Sequence, residues 1–550
     1  MRSAIYRSVA IAALSTSALI GLAAPAHAQA SDDGAEAIDG EIIVSARRRD
    51  ETLQTTPVAI TAVNAAALEN RAAVNIGDLT GAAPNLLITQ QNSGAQAANL
   101  SIRGLTYADI EKSQTPTVGV VIDGVTIGTN TGQLIDAFDI EQIEVLRGPQ
   151  GTLFGANTIG GVLNIRRTKP TMEPGVKAEL SYGRWNTFAG KVIVNYGNAE
   201  TWGIKAWYSH NETDGFYNNV VQKRSGGWSK GDNYGASLLF KSTDGNFDVQ
   251  LTGEQTVQRF DPVVANIANS TELFCGFEPA AECGRNSTTD IYTVFSAPAE
   301  SYYKARNATL EMNADLGDIK ITTITGYRHS REAQTQDFDG SSVDLYYVDR
   351  RQHYTQWSQE VRAAGQLADT FDYVVGGYWF NSKYDLRQWS RVFGFSPTVP
   401  PIVFDTNHQY VWGKTESLAA FADFNWAFAD QFRLSFGGRY SHDDKTLSNG
   451  YAAGGRFPTG RASFSKFTPK VGLDWRPNSD TMLYASWSRG YRSGGFSPRA
   501  ATALTATTPF QPETVTAWEI GTKLSLLDRK LQLNFAGFIS DYKDSAPLRR

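Results

Sequence analysis

"FRLSFGGRYS", Phe432 to Ser441, sets Phe432, Leu434, Phe436, Gly438 and Tyr440 on one face of an extended chain. Arg433, Ser435, Gly437, Arg439 and Ser441 fall on the other. A period of two marks a strand with one apolar and one polar face. "KLQLNFAGFIS" repeats it, with Leu531, Leu533, Phe535 and Ile539 opposed mainly by Gln532, Asn534 and Ser540. Two architectures use such strands. A soluble sandwich buries the apolar faces between sheets, whereas a transmembrane barrel turns them to lipid and encloses the polar faces around a wet lumen.

Three features favour the barrel. Alternation often runs for about ten residues, the length a membrane-crossing strand needs. Aromatics gather near segment ends, as in "NWAF" (425–428), "GGYWF" (376–380) and "YASWS" (484–488), which suits girdles at the lipid–water interfaces. Connections alternate between tight turns ("GNAET", "TDGN", "LGD", "ADT", "ADQ", "PNSD", "LDR") and long polar stretches at 260–301, 338–354 and 391–416. The expected fold is an all-β transmembrane barrel over 171–550, with about fifteen strands. A closed bacterial barrel has an even strand number and no free edge, and the chain stops at "APLRR" soon after a strand ending near Asp544. The barrel is therefore expected to be incomplete, as in a fragment or a truncated, non-functional product.

The rest of the chain sets compartment and chemistry. Residues 1–30 carry Arg2 and Arg7, an apolar core and the small-x-small sites "AHA" and "AQA", the pattern of an export signal. In an oxidising compartment Cys275 and Cys283 are expected to close a small disulfide loop. With 51 Lys+Arg against 56 Asp+Glu, nucleic acid is not expected as a partner. No H-E-x-x-H, G-x-S-x-G or Walker motif occurs, so no enzyme activity, cofactor or resident metal is expected. His210, His329, His353, His408 and His442 are scattered, and "DFDGSSVD" (337–344) lacks calcium-loop spacing.

Residues 51–170 read differently. "TPVAITAVNAAALENR" suggests a strand then a helix, "VNIGDLTGAAP" a second helix start, and "ANLSIRGL", "TVGVVIDGV" and "IEQIEVLRG" further strands. This is a small α+β domain ahead of the barrel. "VLRGPQGTLFG" (145–155) looks at first like a phosphate loop, but no G-x-x-x-x-G-K-[ST] fits Gly148, Gly151 and Gly155. Its glycines read as turn and close-approach positions, with Pro149 fixing one corner.

Several stretches together resemble the TonB-dependent outer-membrane receptors: "EIIVSARRRDETLQTTPVAITAV" (41–63), "LSIRGL" (100–105), "VGVVIDGV" (118–125) and "IEQIEVLRGPQGTLFGANTIGGVLNI" (140–165). "YASWSRGYRSGGFSP" (484–498) and "QPETVTAWEIGTKLSLLDRKLQLNFAGFISDYKD" (511–544) extend the likeness. The resemblance implies a plug inside a barrel of about 22 strands, monomeric, energised by the TonB–ExbB–ExbD complex and inserted in lipid by the barrel-assembly machinery. The plug motif maps to Arg103, Gly104, Asp123, Gly124, Arg147, Gly148, Pro149, Gly151, Gly155, Gly160 and Gly161. Arg103 and Arg147 match plug arginines that pair with barrel glutamates, and Glu519 matches such a glutamate.

Alternation aims Glu519 into the lumen; the alternative is a solvated carboxylate beside Lys523. Glu41, Ile42, Ile43, Val44, Ser45 and Ala46 match the TonB box, on a flexible periplasmic tether over 31–50. There a short β-branched run adds to another protein's sheet edge through its backbone. With so short a tether, no N-terminal signalling domain is expected. By resemblance the cargo is a ferric siderophore or other iron chelate. Cobalamin, nickel complexes, oligosaccharides and aromatic compounds stay open, and no ligand residue is assigned. A passive pore needs no plug, and a barrel enzyme needs a nucleophile constellation that is missing.

Overall fold

The computed structural model describes residues 41–543 apart from 72, 92–95, 108, 263–291, 298, 343–345, 395–401, 406–407, 452–454 and 501. The export signal and the Cys275–Cys283 loop lie outside the described residues. From Ile42 onward the chain forms one compact unit. Among the described residues the wall is a single antiparallel sheet of 17 strands, running from Gly175–Gly183 to Leu531–Lys543. Two are short pieces, Ile402–Asp405 and Gly455–Arg456, at the long-connection end. The other fifteen are long, and each pairs with its sequence neighbour. The first and last strands are not paired with each other.

The alternation acts as the sequence reading requires, with burial inverted relative to a soluble protein. Outward-facing Leu418, Ile520 and Phe535 are 61–67% exposed, while inward-facing Gln356, Asp423 and Arg439 are at most 3% exposed. Exposed apolar rows beside a buried polar interior are costly in water and favourable in a bilayer. No helix among the described residues is long and apolar enough to cross a membrane; the crossing elements are strands. Trp426, Phe428, Phe432 and Trp475 form a chain of ring contacts at 5.7–6.2 Å beside the short turns, where an aromatic girdle belongs.

The interior holds the smaller domain. Its first strands are β1 (Ile43–Val44), β2 (Glu51–Thr52) and β3 (Ile60–Asn64). Helix α1 (Ala65–Asn70) follows, capped by the Asn64 side chain, which accepts from the Ala67 N–H. The second expected helix is only a 3-10 turn, Ile76–Leu79, held by a capping box of Asn75 and Asp78. Then come β4 (Leu86–Gln90), β5 (Ala98–Ile102), β6 (Val118–Ile122), β7 (Val125–Thr126), β8 (Ile140–Arg147) and β9 (Gly161–Arg167). The central sheet has the order β3-β8-β9-β6-β7, parallel only between β6 and β9. Its face packs Ile76, Leu79, Ile102, Val118, Ile143 and Leu163 into one core. At the β6–β7 hairpin Asp123 and Gly124 both take positive φ (48° and 80°), as a two-residue type I′ turn demands.

Candidate functional site

The domain is fixed to the wall by polar contacts at several heights. At Glu519 one carboxylate oxygen accepts from the Ala59 N–H at 3.0 Å and the Tyr484 hydroxyl at 2.8 Å, and the other accepts from Arg103. The Arg103 guanidinium also lies 3.8 Å from the Phe538 ring centre, a cation–π contact from the wall. Arg103 and Glu519 are both nearly buried, so neither charge is screened by bulk water. Lys523 is not a lone counter-ion: its ammonium donates to the Leu53 carbonyl at 2.6 Å. Arg147 departs from the expected arrangement. It lines the same cavity, but among the described residues it forms no ion pair, and its Nε is buried without a partner. The physical reason is occupancy, because Glu519's oxygens are already taken. Burial and the adjacent Arg103 charge push Arg147 below its ordinary pKa, with Glu519 opposing.

The glycine-rich stretch after β8 seats on the wall rather than forming a cradle. Gly151 and Thr468 exchange contacts: the Thr468 hydroxyl donates to the Gly151 carbonyl, and the Thr152 hydroxyl to the Thr468 carbonyl, both at 3.0 Å. Gly148 has φ 91°, and a Cβ there would come within 2.6 Å of the Arg103 guanidinium; only glycine lets the turn pass under that side chain. Pro149 and Gly490 meet closely, and Gly155, Gly160 and Gly161 complete the turn into β9. Gly104 closes the tight turn after Arg103, both with positive φ. Asp123 accepts from the Arg167 N–H at 2.9 Å, and Arg167 reaches Glu254 of the wall with both Nη atoms at 2.7 and 2.8 Å. Burial raises the Asp123 pKa, and Arg167 pulls against it.

The expected flexible tether is corrected for residues 42–50, which are folded into the interior. β1 pairs with β2 through Ile43↔Thr52 and Val44↔Glu51. Gln142 donates to the Ile43 carbonyl at 2.9 Å, and the Ser45 N–H donates to Glu144 at 2.7 Å. Val44 and Ala46 are buried against Leu146, Leu153 and Phe154, with Val374 and Phe421 of the wall. The cause is the segment's own alternation, which gives Ile42, Val44 and Ala46 one apolar face.

Directly after it, three arginines reach acids of the wall: Arg47 to Asp423 at 3.1 Å, Arg48 to Glu360 at 3.1 Å, and Arg49 to Asp423 at 3.4 Å and Asp372 at 3.9 Å. Glu51 sits between Arg47 and Arg49; burial alone would raise its pKa, but the two guanidiniums hold it below the usual carboxylate range. This clamp was not singled out in the sequence. The signal was three adjacent arginines beside an apolar-alternating run. A cavity of 550 Å³ opens next to it among the short turns, lined by Arg49, Asp318, Gln366 and Arg476.

At the opposite end Arg350 pairs with Glu111 at 2.9 Å and Arg499 holds Asp109 with both Nη atoms at 2.9 Å. Arg492 lies 3.7 Å from the Tyr107 ring centre. These contacts fix the apex of the domain beneath the long connections. Among the described residues no group of His, Cys, Asp and Glu converges as metal ligands.

Comparison with known proteins places these features in a family. The family described as "TonB dependent receptor-like, beta-barrel" matches residues 265–546, and "TonB-dependent Receptor Plug Domain" matches 52–162. The pesticin receptor of Yersinia pestis is 25% identical over 97% of this chain and 75% of its own length. The ferripyoverdine receptor of Pseudomonas aeruginosa is 24% identical over 90% of this chain and 60% of its length. The crystal structure of the ferric yersiniabactin uptake receptor from Yersinia pestis superposes with a TM-score of 0.76, at 21% identity, covering 89% of this chain and 73% of that one.

Proposed function

The chain belongs to the TonB-dependent receptors, and from that premise we propose that it imports a scarce ferric chelate of the siderophore type across the bacterial outer membrane. The family transports and does not catalyse, so no bond is made or broken in the cargo. The observation that carries the reading is a lumen filled by a domain held through polar contacts. Arg103–Glu519, Arg47–Asp423 and Arg167–Glu254 are ion pairs that lumen water can replace once they are pulled apart, unlike a continuous apolar core. The names of the relatives, receptors for ferripyoverdine and ferric yersiniabactin, support iron over other solutes.

In this reading the TonB complex draws Ile42–Ala46 from its seat and pairs with it as an added strand. Binding of cargo at the apex, near Tyr107, Asp109 and Arg499, is the event that biases the clamp toward release. The test is uptake of labelled iron chelates by cells producing the receptor, against cells in which Ile42–Ala46 is replaced by a proline-containing segment. Loss of uptake with surface binding intact is expected. Unchanged uptake would remove TonB dependence, and uptake of none of the chelates by the unaltered receptor would remove iron.

A further inference from the structure

Four neighbouring wall strands, Ser301–Asp315, Ile319–Asp337, Tyr346–Ala368 and Phe371–Gly394, carry an outward face whose composition changes abruptly with height. Their register puts Ala308, Tyr327, Trp357 and Asn381 in one row. The Tyr327 and Trp357 rings meet there at 4.6 Å, the aromatic level that marks a lipid boundary. The next row toward the long connections is Arg306, His329, Thr355 and Lys383; above it stand Lys304, Arg331, His353 and Asp385, then Tyr302, Ala333, Arg351 and Arg387.

At about 3.4 Å per residue and 4.8 Å between strands, these three rows cover a patch of roughly 14 by 14 Å immediately above the aromatic level. It holds six Lys or Arg side chains and one carboxylate. Asp385 is engaged by His353 at 3.0 Å, and of the six cations Arg351 is paired with Asp349 just above the patch at 3.4 Å. Among the described residues Lys304, Lys383 and Arg387 close no ion pair. An open cavity of 400 Å³ lies on this wall, lined by Tyr302, Arg331, Arg351, His353, Arg387 and Trp389. Elsewhere at the same end outward Lys230 is neutralised by Glu212 at 3.2 Å and Lys414 by Glu416 at 2.7 Å.

We propose that this patch binds the phosphate-bearing headgroup of an anionic lipid in the outer leaflet, with the lysines and arginines holding phosphate oxygens above the Tyr327–Trp357 row. A lipid, rather than a soluble anion, is the occupant because the cations continue the lipid-facing surface without a break, beginning about two residues, roughly 7 Å, above the aromatic row and ending roughly 20 Å above it. The acyl chains then lie along Leu310, Ile321 and Val361, on the same outward face in the rows below Tyr327 and Trp357.

The test uses the full chain reconstituted in phosphatidylcholine vesicles with spin-labelled phosphatidic acid or spin-labelled phosphatidylcholine. The unaltered protein is expected to restrain phosphatidic acid at least about threefold more than phosphatidylcholine. The quadruple variant Lys304→Gln, Arg331→Gln, Lys383→Gln, Arg387→Gln brings that ratio close to one. The control Lys230→Gln, Lys414→Gln leaves it unchanged. The double variant Lys383→Gln, Arg387→Gln replaces the quadruple if heat-modified gel mobility shows misfolding. No preference in the unaltered protein, a preference that survives in the patch variant, or equal loss in the control overturns the proposal. So does abolition of the preference by excess inorganic phosphate, which would assign the patch to a free anion.

Discussion

Glu519 concentrates the contact between domain and wall in one carboxylate. Glu519→Ala strands the Arg103 charge in a nearly buried position and deprives the Ala59 N–H and Tyr484 hydroxyl of their acceptor. Breaking a buried pair from one side costs about 3–5 kcal/mol, to be read from guanidinium unfolding of the receptor. The double variant Arg103→Ala, Glu519→Ala is expected to cost less than the sum of its parts, because the stranded charge is removed too. Gly148→Ala is expected to disturb the same joint, through its φ of 91° and the 2.6 Å approach to Arg103, at a cost of about 1 kcal/mol or more. The lumen-facing direction of Glu519 was legible from period two. Which arginine holds it was not, because the approach of Arg103 and of the Ala59 N–H to Glu519 depends on backbone placement across more than 400 positions.

In the proposed function β1 and the arginine clamp are the elements on which transport turns. Arg47→Ala with Arg48→Ala removes two links to the wall and is expected to raise amide exchange at Val44 by at least about tenfold. It should also tighten binding of the TonB C-terminal domain without cargo, since less free energy then opposes release. Acid acts on the same segment with a definite sign. Glu51 is held below the usual carboxylate range, so its contribution to seating is present above the unfolded value, near 4.5, and is lost as pH falls through the lower folded value. Protease sensitivity of residues 42–50 is expected to rise on acidification below about pH 4 and not between pH 6 and 8; a rise in the neutral range would assign the effect to another group. The apolar alternation of Ile42, Val44 and Ala46 was visible in the sequence. Their seat was not, because it is built by Glu144 and Gln142, about a hundred positions away, and by Asp423 and Glu360, more than three hundred away.

At the scale of the whole molecule the sequence was most informative, because the wall strands share one tendency at the lipid level, apolar outward and polar inward, with outward cations such as Lys304 and Arg387 above that level. Fifteen long strands form the wall and short and long connections alternate, but the stretches read as connections at 338–354 and 391–416 are in part strand, because Tyr346–Ala368, Phe371–Gly394 and Gln409–Ala429 run on beyond the lipid level. Val471→Arg, on the lipid face near mid-strand, is expected to cost about 2–4 kcal/mol of barrel stability, seen as a lower fraction of compact, heat-modifiable protein. The register of β1 has a mechanical corollary. Ile42 accepts from Leu53, Ile43 faces Thr52 and Val44 faces Glu51, so tension applied ahead of Ile42 peels these links one after another from the open end. A zipper loaded in this way yields at the strength of its strongest single tooth, not at the sum of them all. Arg47 on Asp423 is the first charged tooth that the peel meets, and the five-stranded sheet behind it need not open for the segment to come free.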